Sequence, residues 1–228
     1  MAVAEEKRAA GYAAVDRFVR KEMGCIGLGT GSTAFYAIER VGALVAQGWK
    51  LSAVTTSVQT EKLCRERNIP VVGLCEDGPP IAVAIDGADE VAPDFALTKG
   101  GGGALFREKA VALAAGTFVV VVDESKLVPR LGKFPLPVEV VPFTVRYVEH
   151  AIHEFCSLVS VRVRDGKTFV TDNGNYILDC AFGAIDDPSG LDARLRAING
   201  VVASGIFVGL TSHVLVGSAG GVREIERG

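Results

Sequence analysis

Residues 25–33 read Cys-Ile-Gly-Leu-Gly-Thr-Gly-Ser-Thr, an apolar strand that breaks into a glycine-rich turn. Residues 34–47 then carry apolar side chains at helical spacing, so the pattern predicts a strand, a turn and a helix in succession. Such a turn is typical of phosphate sites in α/β proteins, because the N–H groups and dipole at a helix N-terminus favour an anion. The segment therefore predicts an α/β fold with an anion site after its first strand.

The turn does not match the two common nucleotide-binding motifs. The pattern G-x-G-x-x-G fits at Gly27 and Gly29, but Ser32 occupies its third glycine position and no acid ends the next strand. The Walker pattern also fails, since this turn contains no Gly-Lys-Ser/Thr. The hydroxyls of Thr30, Ser32 and Thr33 instead suit a single phosphate monoester, to which each could donate a hydrogen bond. We expect Thr30 or Ser32 to cap the helix as well.

The composition limits the class of protein. Of the 228 residues, 49% are hydrophobic, which is enough for a substantial core in one or two domains. A net charge of −3 gives no indication of a nucleic-acid partner. No secretory signal or membrane-length apolar run is visible, so we expect a cytoplasmic protein with no membrane partner. The cysteines are scattered and odd in number, which favours reduced thiols: Cys25, Cys64, Cys75, Cys156 and Cys180.

A second glycine-rich segment, residues 99–109, reads Lys-Gly-Gly-Gly-Gly-Ala-Leu-Phe-Arg-Glu-Lys. Consecutive glycines indicate a close approach of the backbone to another group, and residues 104–115 are predicted to form a helix. Lys99 opens the loop with a cation, and Glu108 places a potential base one turn into the helix. Taken alone, the segment is equally compatible with a flexible turn that carries a solvated lysine and glutamate.

Two further predicted strands end in polar segments. Residues 81–85 precede Asp-Gly-Ala-Asp-Glu at 86–90, and residues 117–122 precede Asp-Glu-Ser-Lys at 123–126. In α/β sheets the carboxyl ends of the strands are where ligand groups lie.

The side chains at these strand ends have both functional and structural interpretations. Asp86 and Asp89 could bind sugar hydroxyls and move protons, but an Asp-Gly turn is a common structural feature. A metal at these acids is not favoured, because no histidine or further acid sits nearby at ligand spacing. Lys126 could join Lys7 as a second cation for a phosphate; the alternative is that both lysines are solvated.

A change of composition at residues 134–137, Phe-Pro-Leu-Pro, indicates a domain boundary. Beyond it the pattern predicts a small α+β domain of the split βαβ, ferredoxin-like type over 136–207, with hairpin turns at 165–166 and 173–174. The predicted order is strand 138–141, helix 145–155, strands 158–163, 168–171 and 176–181, helix 189–198 and strand 201–208.

The remaining residues, 1–135 together with 208–228, are predicted to form an α/β domain with a mainly parallel open sheet flanked by helices. Its first helix is expected over residues 5–21, and a further helix over 60–68 is expected to lead into a strand end at 71–75. A last strand at 214–217 and a short helix would complete it.

The loops together, in this order and spacing, closely resemble the type A family of ribose-5-phosphate isomerases, from about Lys7 onward. The matching segments are Gly-Thr-Gly-Ser-Thr at 29–33, Thr-Thr-Ser at 55–57, Asp-Gly-Ala-Asp-Glu at 86–90, Lys-Gly-Gly-Gly at 99–102, Arg-Glu-Lys at 107–109 and Asp-Glu-Ser-Lys at 123–126. The resemblance implies an enzyme of the pentose phosphate pathway without cofactor or metal. It would interconvert ribose 5-phosphate and ribulose 5-phosphate through an enediol(ate), and would assemble as a homodimer or homotetramer.

The resemblance also implies a role for each matching residue. Glu108 would be the base that moves the proton between C1 and C2. Asp86, Asp89 and Lys99 would contact the reacting end of the sugar, with Asp86 assisting ring opening. The residues implied to bind the substrate are Lys7, Gly29, Thr30, Gly31, Ser32, Thr33, Asp86, Gly87, Ala88, Asp89, Lys99, Gly100, Gly101, Gly102 and Lys126.

Two other classes of function remain open at this point. A sugar-phosphate sensor built on the same fold would keep the phosphate loop but would need neither Glu108 nor Asp86. A related enzyme, such as an amino-sugar phosphate isomerase or a CoA transferase, is the other alternative. A CoA transferase also uses a glutamate, as its nucleophile, although the setting of Lys99 and Asp86 argues against it.

Overall fold

The structure is a computed structural model that describes residues 2–74 and 80–227. Its helices are α1 Ala2–Phe18, α2 Ala34–Ala46, α3 Val58–Glu66, α4 Leu105–Ala114, α5 Val145–His153 and α6 Pro188–Arg196. Its strands are β1 Cys25–Leu28, β2 Ser52–Thr55, β3 Ile81–Asp86, β4 Glu90–Val91, β5 Leu97–Thr98, β6 Thr117–Asp123, β7 Leu136–Val140, β8 Val159–Val161, β9 Val163–Arg164, β10 Lys167–Thr168, β11 Tyr176–Cys180, β12 Val201–Ser204, β13 Ile206–Phe207, β14 His213–Ser218 and β15 Gly221–Glu226. Short 3-10 helices cover Glu124–Lys126 and Pro142–Thr144.

The chain forms two compact units. Unit 1 contains Met1–Ala88, Arg107–Lys126 and Leu210–Gly228, and unit 2 contains Asp89–Phe106 and Leu127–Gly209. The small domain predicted over 136–207 lies within unit 2, which also includes residues 89–106. Those residues belong there because β4 and β5 form a three-stranded sheet with β13, and the N–H of Val128 donates to the carbonyl oxygen of Val91.

Unit 1 is built on a six-stranded sheet in the order β15-β14-β6-β3-β1-β2. The strands from β14 to β2 are parallel, and β15 pairs antiparallel with β14 at the edge. Parallel strands bring their carboxyl ends to one edge of the sheet, so the segments after β1, β3 and β6 all begin at that edge. The mainly parallel sheet predicted from the sequence is confirmed.

Helices cover both faces of this sheet because successive side chains on a strand point to opposite faces. Ile26, Ile85 and Val119 are buried in one core with residues of α1 and α2. Gly27 faces the other way, where an added Cβ would lie 2.6 Å from Cγ1 of Val111 on α4. The absence of a side chain at Gly27 therefore allows α4 to approach β1 closely.

The end of the chain differs from the prediction. The short helix expected after 214–217 is wrong, since residues Gly221–Glu226 form β15. A two-residue turn, Ala219-Gly220, reverses the chain, and Ser218 pairs with Gly221 at the start of the ladder. Gly221 has φ +115°, a conformation that glycine adopts without steric cost. The Ala219-Gly220 turn and Gly221 therefore make a hairpin, as two-residue loops that contain glycine commonly do.

Unit 2 contains a four-stranded antiparallel sheet in the order β12-β7-β11-β8. In chain order the elements run β7-α5-β8-β11-α6-β12, which is the predicted split βαβ, ferredoxin-like arrangement. Buried residues of both helices, among them Val148, Ile152 and Leu195, form its core with the sheet. The predicted α+β class of this part of the chain is confirmed.

One of the two predicted hairpins is present; at the other, residues 172–174 form the predicted turn, closed by a hydrogen bond from the N–H of Thr171 to the carbonyl oxygen of Asn175, but the strand pairing is wrong. The turn at Asp165-Gly166 joins β9 to β10, and both turn residues have positive φ. No strand follows at 169–171, and β11 pairs with β7 and β8 instead of with β10. The segment before β11 is held by side chains: Thr171, Asn173 and Asn175 all donate to Oε1 of the buried Glu139 on β7.

The predicted strand 201–208 is interrupted at Gly205. The N–H of Gly205 donates to the carbonyl oxygen of Pro137, and an added Cβ would lie 2.3 Å from the carbonyl oxygen of Lys99. β12 therefore ends in the four-stranded sheet, and β13 pairs with β5 immediately before Lys99.

Cys25, Cys64, Cys156 and Cys180 are buried free thiols, and Cys75 lies outside the described residues, as does the end of the strand expected at 71–75. Within that expected strand Val71 makes an isolated bridge to Ala53. Among residues 2–74 and 80–227, no helix is both long enough and apolar enough to cross a bilayer.

Candidate active site

In unit 1, the predicted phosphate loop and the Asp86 segment meet at the carboxyl edge of the sheet. The side chain of Asp86 is 2% exposed, and its Oδ1 accepts hydrogen bonds from the N–H groups of Thr30, at 3.0 Å, and Gly87, at 2.7 Å. An added Cβ on Gly29 would lie 2.0 Å from the same oxygen. A glycine at position 29 is therefore what allows the turn after β1 to contact the carboxylate at the end of β3.

A network of hydroxyl groups fixes the same turn. Thr60 donates to the carbonyl oxygen of Gly29 at 2.8 Å, and Thr30 donates to Ser57 at 2.8 Å while lying 2.7 Å from the hydroxyl of Thr56. The hydroxyl hydrogen of Thr30, which could have donated to a phosphate, is directed into the protein. Thr56 and Ser57 belong to one of the segments that resemble the family, but the resemblance implied no role for them. No motif in the sequence pointed to Thr60.

The start of α2 follows from this turn. Thr33 occupies the N-cap position, and its side chain makes no capping hydrogen bond within the described residues. The predicted cap by Thr30 or Ser32 is wrong, because Thr30 faces the hydroxyl network and the hydroxyl of Ser32 accepts from Nζ of Lys7 at 2.9 Å. None of these side chains caps the first turn of α2, where the N–H groups of Phe35 and Tyr36 donate to the carbonyl oxygens of Gly31 and Thr33.

Lys7 reaches this loop from the first turns of α1. Its Nζ lies 3.9 Å from Oδ2 of Asp123, the last residue of β6. The start of α1 packs closely on β14, since an added Cβ on Gly217 would lie 2.1 Å from the carbonyl oxygen of Glu6. Lys126, the other predicted cation, ends the 3-10 helix that follows β6. Lys7, Ser32 and Asp123 thus lie together, and Lys126 lies three residues beyond Asp123.

Glu108 lies in the first turn of α4, with only 4% of its surface exposed. The dipole of the helix stabilises a negative charge in its first turn. Carboxylates are seldom buried unless they have a partner or a function. The position of Glu108 suits a carboxylate that removes a proton from carbon.

In unit 2, the glycine run is a tightly held loop. Gly100 and Gly103 have φ +101° and +89°, and the N–H of Gly101 donates to Oδ2 of Asp89 at 2.7 Å. Lys99 is 2% exposed, and its N–H donates to the carbonyl oxygen of Gly205 at 2.8 Å. The loop thus carries a buried cation at its start and a carboxylate bonded to its second glycine, and it is not a flexible turn.

Glu90, the third acid in the segment 86–90, has a structural role. It is 3% exposed and accepts hydrogen bonds from the hydroxyl of Thr98 and from the N–H groups of Gly132 and Phe134. These donors join β4 and β5 to the segment before β7. Neighbouring acids in the sequence therefore have different hydrogen-bond partners, and nothing in the sequence distinguishes them.

Among the described residues, the buried cysteines and the side chains of metal-ligating type do not form a second site. Burial raises the pKa of Cys64 to about 12 and also raises the pKa values of Cys156 and Cys180, so these thiols stay protonated at neutral pH. In the described part of the chain, no group of three or more His, Cys, Asp or Glu side chains is placed to hold a metal ion.

Comparison with known proteins identifies close relatives. Residues 52–221 match the family model "Ribose 5-phosphate isomerase A (phosphoriboisomerase A)". The chain is 46% identical to ribose-5-phosphate isomerase A of Methanothermobacter thermautotrophicus, over 95% of this chain and 96% of that protein. It is similar to a solved D-ribose-5-phosphate isomerase in complex with phospho-erythronic acid, with a TM-score of 0.94 and 40% identity over all of both chains. The isomerase structure from Methanocaldococcus jannaschii gives a TM-score of 0.91 at 40% identity, over 97% of this chain and 98% of that one.

Proposed function

This chain belongs to the ribose 5-phosphate isomerase A family, and we propose that Glu108, Asp86, Asp89 and Lys99 carry out its reaction. The protein interconverts ribose 5-phosphate and ribulose 5-phosphate, a step of the non-oxidative pentose phosphate pathway. The observation that carries the assignment of residues is the burial of three ionisable side chains. Asp86 and Lys99 are each 2% exposed and Glu108 is 4% exposed, although such side chains are rarely buried without a functional or structural need.

Glu108 is the base in this proposal. Its carboxylate takes the proton from C2 of the open-chain aldose, and the electron pair moves into a C1–C2 double bond while the carbonyl oxygen O1 becomes negative. The same carboxyl group returns the proton to C1, and the hydroxyl proton on O2 moves to O1, which gives the ketose. A positioned base contributes about 10²–10⁴-fold to the rate, so stabilisation of the oxyanion and orientation of the substrate must supply the rest.

The reacting end of the sugar is contacted by Lys99, Asp86 and Asp89. The Lys99 ammonium stabilises the negative oxygen of the enediolate, and its burial strengthens that interaction because few waters compete with it. Asp86 accepts the proton of the anomeric hydroxyl and returns it to the ring oxygen as the bond between C1 and that oxygen breaks; the N–H groups of Thr30 and Gly87 hold the carboxylate for this. Asp89 binds a sugar hydroxyl while its other contact, to the N–H of Gly101, fixes its position.

The phosphate is bound by the loop Gly29–Thr33 together with Lys7 and Lys126. The N–H groups of residues 31–33, just before α2, and the Ser32 hydroxyl donate to phosphate oxygens, and the two lysines balance their charge. Binding at this end of the substrate orients the carbons that react and contributes through proximity.

Replacement of Lys7 by methionine is expected to raise KM for ribose 5-phosphate about 10-fold with a smaller change in kcat. A hydrogen bond to a charged group contributes about 1.5–3 kcal/mol, and the partial exposure of Lys7 places it at the low end of that range. Steady-state kinetics of Lys7→Met test this prediction. The control is Lys21→Met, which removes an exposed lysine just after α1. Equal KM values for the two variants would remove Lys7 from the phosphate site.

The activity itself is tested by following ribulose 5-phosphate formation from ribose 5-phosphate without added metal or nucleotide. We expect turnover that a chelator does not change. Tight binding of the sugar phosphate without turnover would instead favour the sensor, and activity lost on chelation would reopen the metal interpretation of Asp86 and Asp89.

We also propose a cytoplasmic location and a homodimeric or homotetrameric assembly, as the family resemblance implies. The buried free thiols fit a reducing compartment. Sedimentation velocity would distinguish the two assemblies from a monomer.

A further inference from the structure

We propose that Arg162, with Asp179, is the positioning residue that orients the N–H of Gly102 towards the substrate oxygen that becomes negative. The inference rests on the proposed function, because it assumes that the loop Lys99–Gly102 serves the enediolate. It adds a residue that follows β8 and lies outside every segment that carries the family resemblance.

Arg162 is held rigidly in unit 2. Its Nε donates to Oδ2 of Asp179 at 2.9 Å and its Nη2 donates to Oδ1, so the carboxylate on β11 binds the guanidinium with both oxygens. The side chain of Arg162 is 10% exposed. A bidentate pair of this kind fixes the plane of the guanidinium and the direction of its remaining N–H groups.

The third nitrogen of Arg162 binds the glycine loop. Nη1 donates to the carbonyl oxygen of Gly100 at 2.7 Å and to that of Gly101 at 3.2 Å. A single cation therefore fixes two consecutive peptide groups. These groups need a fixed partner, because glycine backbones have more conformational freedom than any others.

The direction of the carbonyls determines the direction of the N–H groups. Both peptides are trans, and in a trans peptide the C=O and N–H bonds point to opposite sides. The N–H groups of Gly101 and Gly102 therefore point away from Arg162. The first donates to Asp89, whereas Gly102 is exposed and no described residue accepts from its N–H. The N–H of Gly102 is thus the donor of this loop that a substrate oxygen can use.

The cation also strengthens that donor. A charge-assisted hydrogen bond to a carbonyl polarises the peptide group, and polarised groups in a chain reinforce one another. The opposite end of the loop is fixed by Phe169, whose ring would lie 2.4 Å from an added Cβ on Gly103. Arg162 and Phe169 together hold the loop in one conformation, so that the donor is in place before the charge develops.

The test compares Arg162→Met, Arg162→Lys and Asp179→Asn with a control, Arg194→Met. Arg194 lies on α6 and stacks on Phe155 at 3.6 Å, so its loss removes an arginine from unit 2 without touching the loop. Loss of one donor to an oxyanion lowers kcat about 10²–10³-fold. We expect Arg162→Met, which misdirects the donor, to lower kcat about 10–100-fold with KM within about 3-fold of wild type. The kcat values of Arg162→Lys and Asp179→Asn should lie between those of Arg162→Met and the wild type.

Inhibition separates positioning from general damage. Phospho-erythronic acid is the ligand of one solved relative, and it has a carboxylate as well as a phosphate group. Inorganic phosphate has no carboxylate, so it cannot place one against the N–H of Gly102. We expect Arg162→Met to raise the inhibition constant of phospho-erythronic acid about 10-fold or more and to leave that of inorganic phosphate unchanged.

A kcat within about 3-fold of wild type, or an equal rise of both inhibition constants, would overturn the role of Arg162. If Arg162→Met does not fold, the isosteric Asp179→Asn variant is the test of the proposal. An unchanged kcat for Asp179→Asn would then contradict the positioning role. A wild type that makes no ribulose 5-phosphate would overturn the proposed function itself, whereas an active wild type with an equally active Arg162→Met overturns only this inference.

Discussion

Glu108→Gln is expected to lower kcat for ribose 5-phosphate about 10³-fold or more while KM stays within a few-fold of wild type. Glutamine has the shape of glutamate but cannot accept a proton from carbon, so the variant loses the base and keeps the contacts of binding. General-base catalysis contributes about 10²–10⁴-fold, and Glu108 is the only carboxylate proposed for this step. A loss confined to kcat is the signature of an interaction made in the transition state.

The substitution leaves the fold largely unchanged. Glu108 is 4% exposed in the first turn of α4, and the replacement changes neither its volume nor its length. The lost interaction of its charge with the helix dipole costs about 0.3–1 kcal/mol of stability. Thermal unfolding of the variant should therefore remain cooperative and close to that of the wild type.

The measurement pairs the kinetics with isotope exchange. In deuterated water the wild type should incorporate deuterium at C1 of ribulose 5-phosphate, the carbon to which the base returns a proton, and Glu108→Gln should not. Glu22→Gln, at an exposed position after α1, is the matched control and should behave as wild type. Wild-type turnover by Glu108→Gln would remove this residue as the base and leave the reaction without one.

The parts of the site that could be predicted from the sequence are those determined by patterns within a few consecutive residues. Apolar strands that end in polar segments, such as 81–85 before Asp86 and 117–122 before Asp123, follow from patterns a few residues long. Parallel pairing then brings the ends of these strands to one edge. A local pattern and a topological rule are together sufficient to place Asp86 and the loop after β1 next to each other.

What the sequence could not predict depends on partners far apart in the chain. Arg162 binds the carbonyl of a glycine 62 residues before it, and Thr60 binds the carbonyl oxygen of Gly29. The carboxylates of Glu90 and Glu139 bind donors 42 and 36 positions away, at Gly132 and Asn175. Spacing carries no information about such contacts, and they explain both the wrong hairpin before β11 and the structural role of Glu90.

Gly29→Ala is expected to lower kcat about 10²-fold and to destabilise the protein by about 1–3 kcal/mol. The added Cβ would lie 2.0 Å from Oδ1 and 2.1 Å from Cγ of Asp86, so the carboxylate must move. The movement breaks its hydrogen bond from the N–H of Thr30 and shifts a carboxylate that our proposal places on the sugar. Displacement of a catalytic group by about 1 Å can cost 10²-fold.

A double-mutant cycle separates this cause from a general defect in the turn. An Asp86→Ala background lacks the two atoms closest to the added Cβ, Oδ1 and Cγ, and keeps only Cβ at 2.5 Å, so Gly29→Ala should then cost less stability than it does in the wild type. Asp86→Asn, which keeps the size of the side chain, should lose activity and show the same clash. Gly220→Ala is the control, because an added Cβ there meets only Ser218 Oγ at 3.8 Å. An equal cost of Gly29→Ala in both backgrounds, with kcat unchanged, would show that Gly29 does not position Asp86.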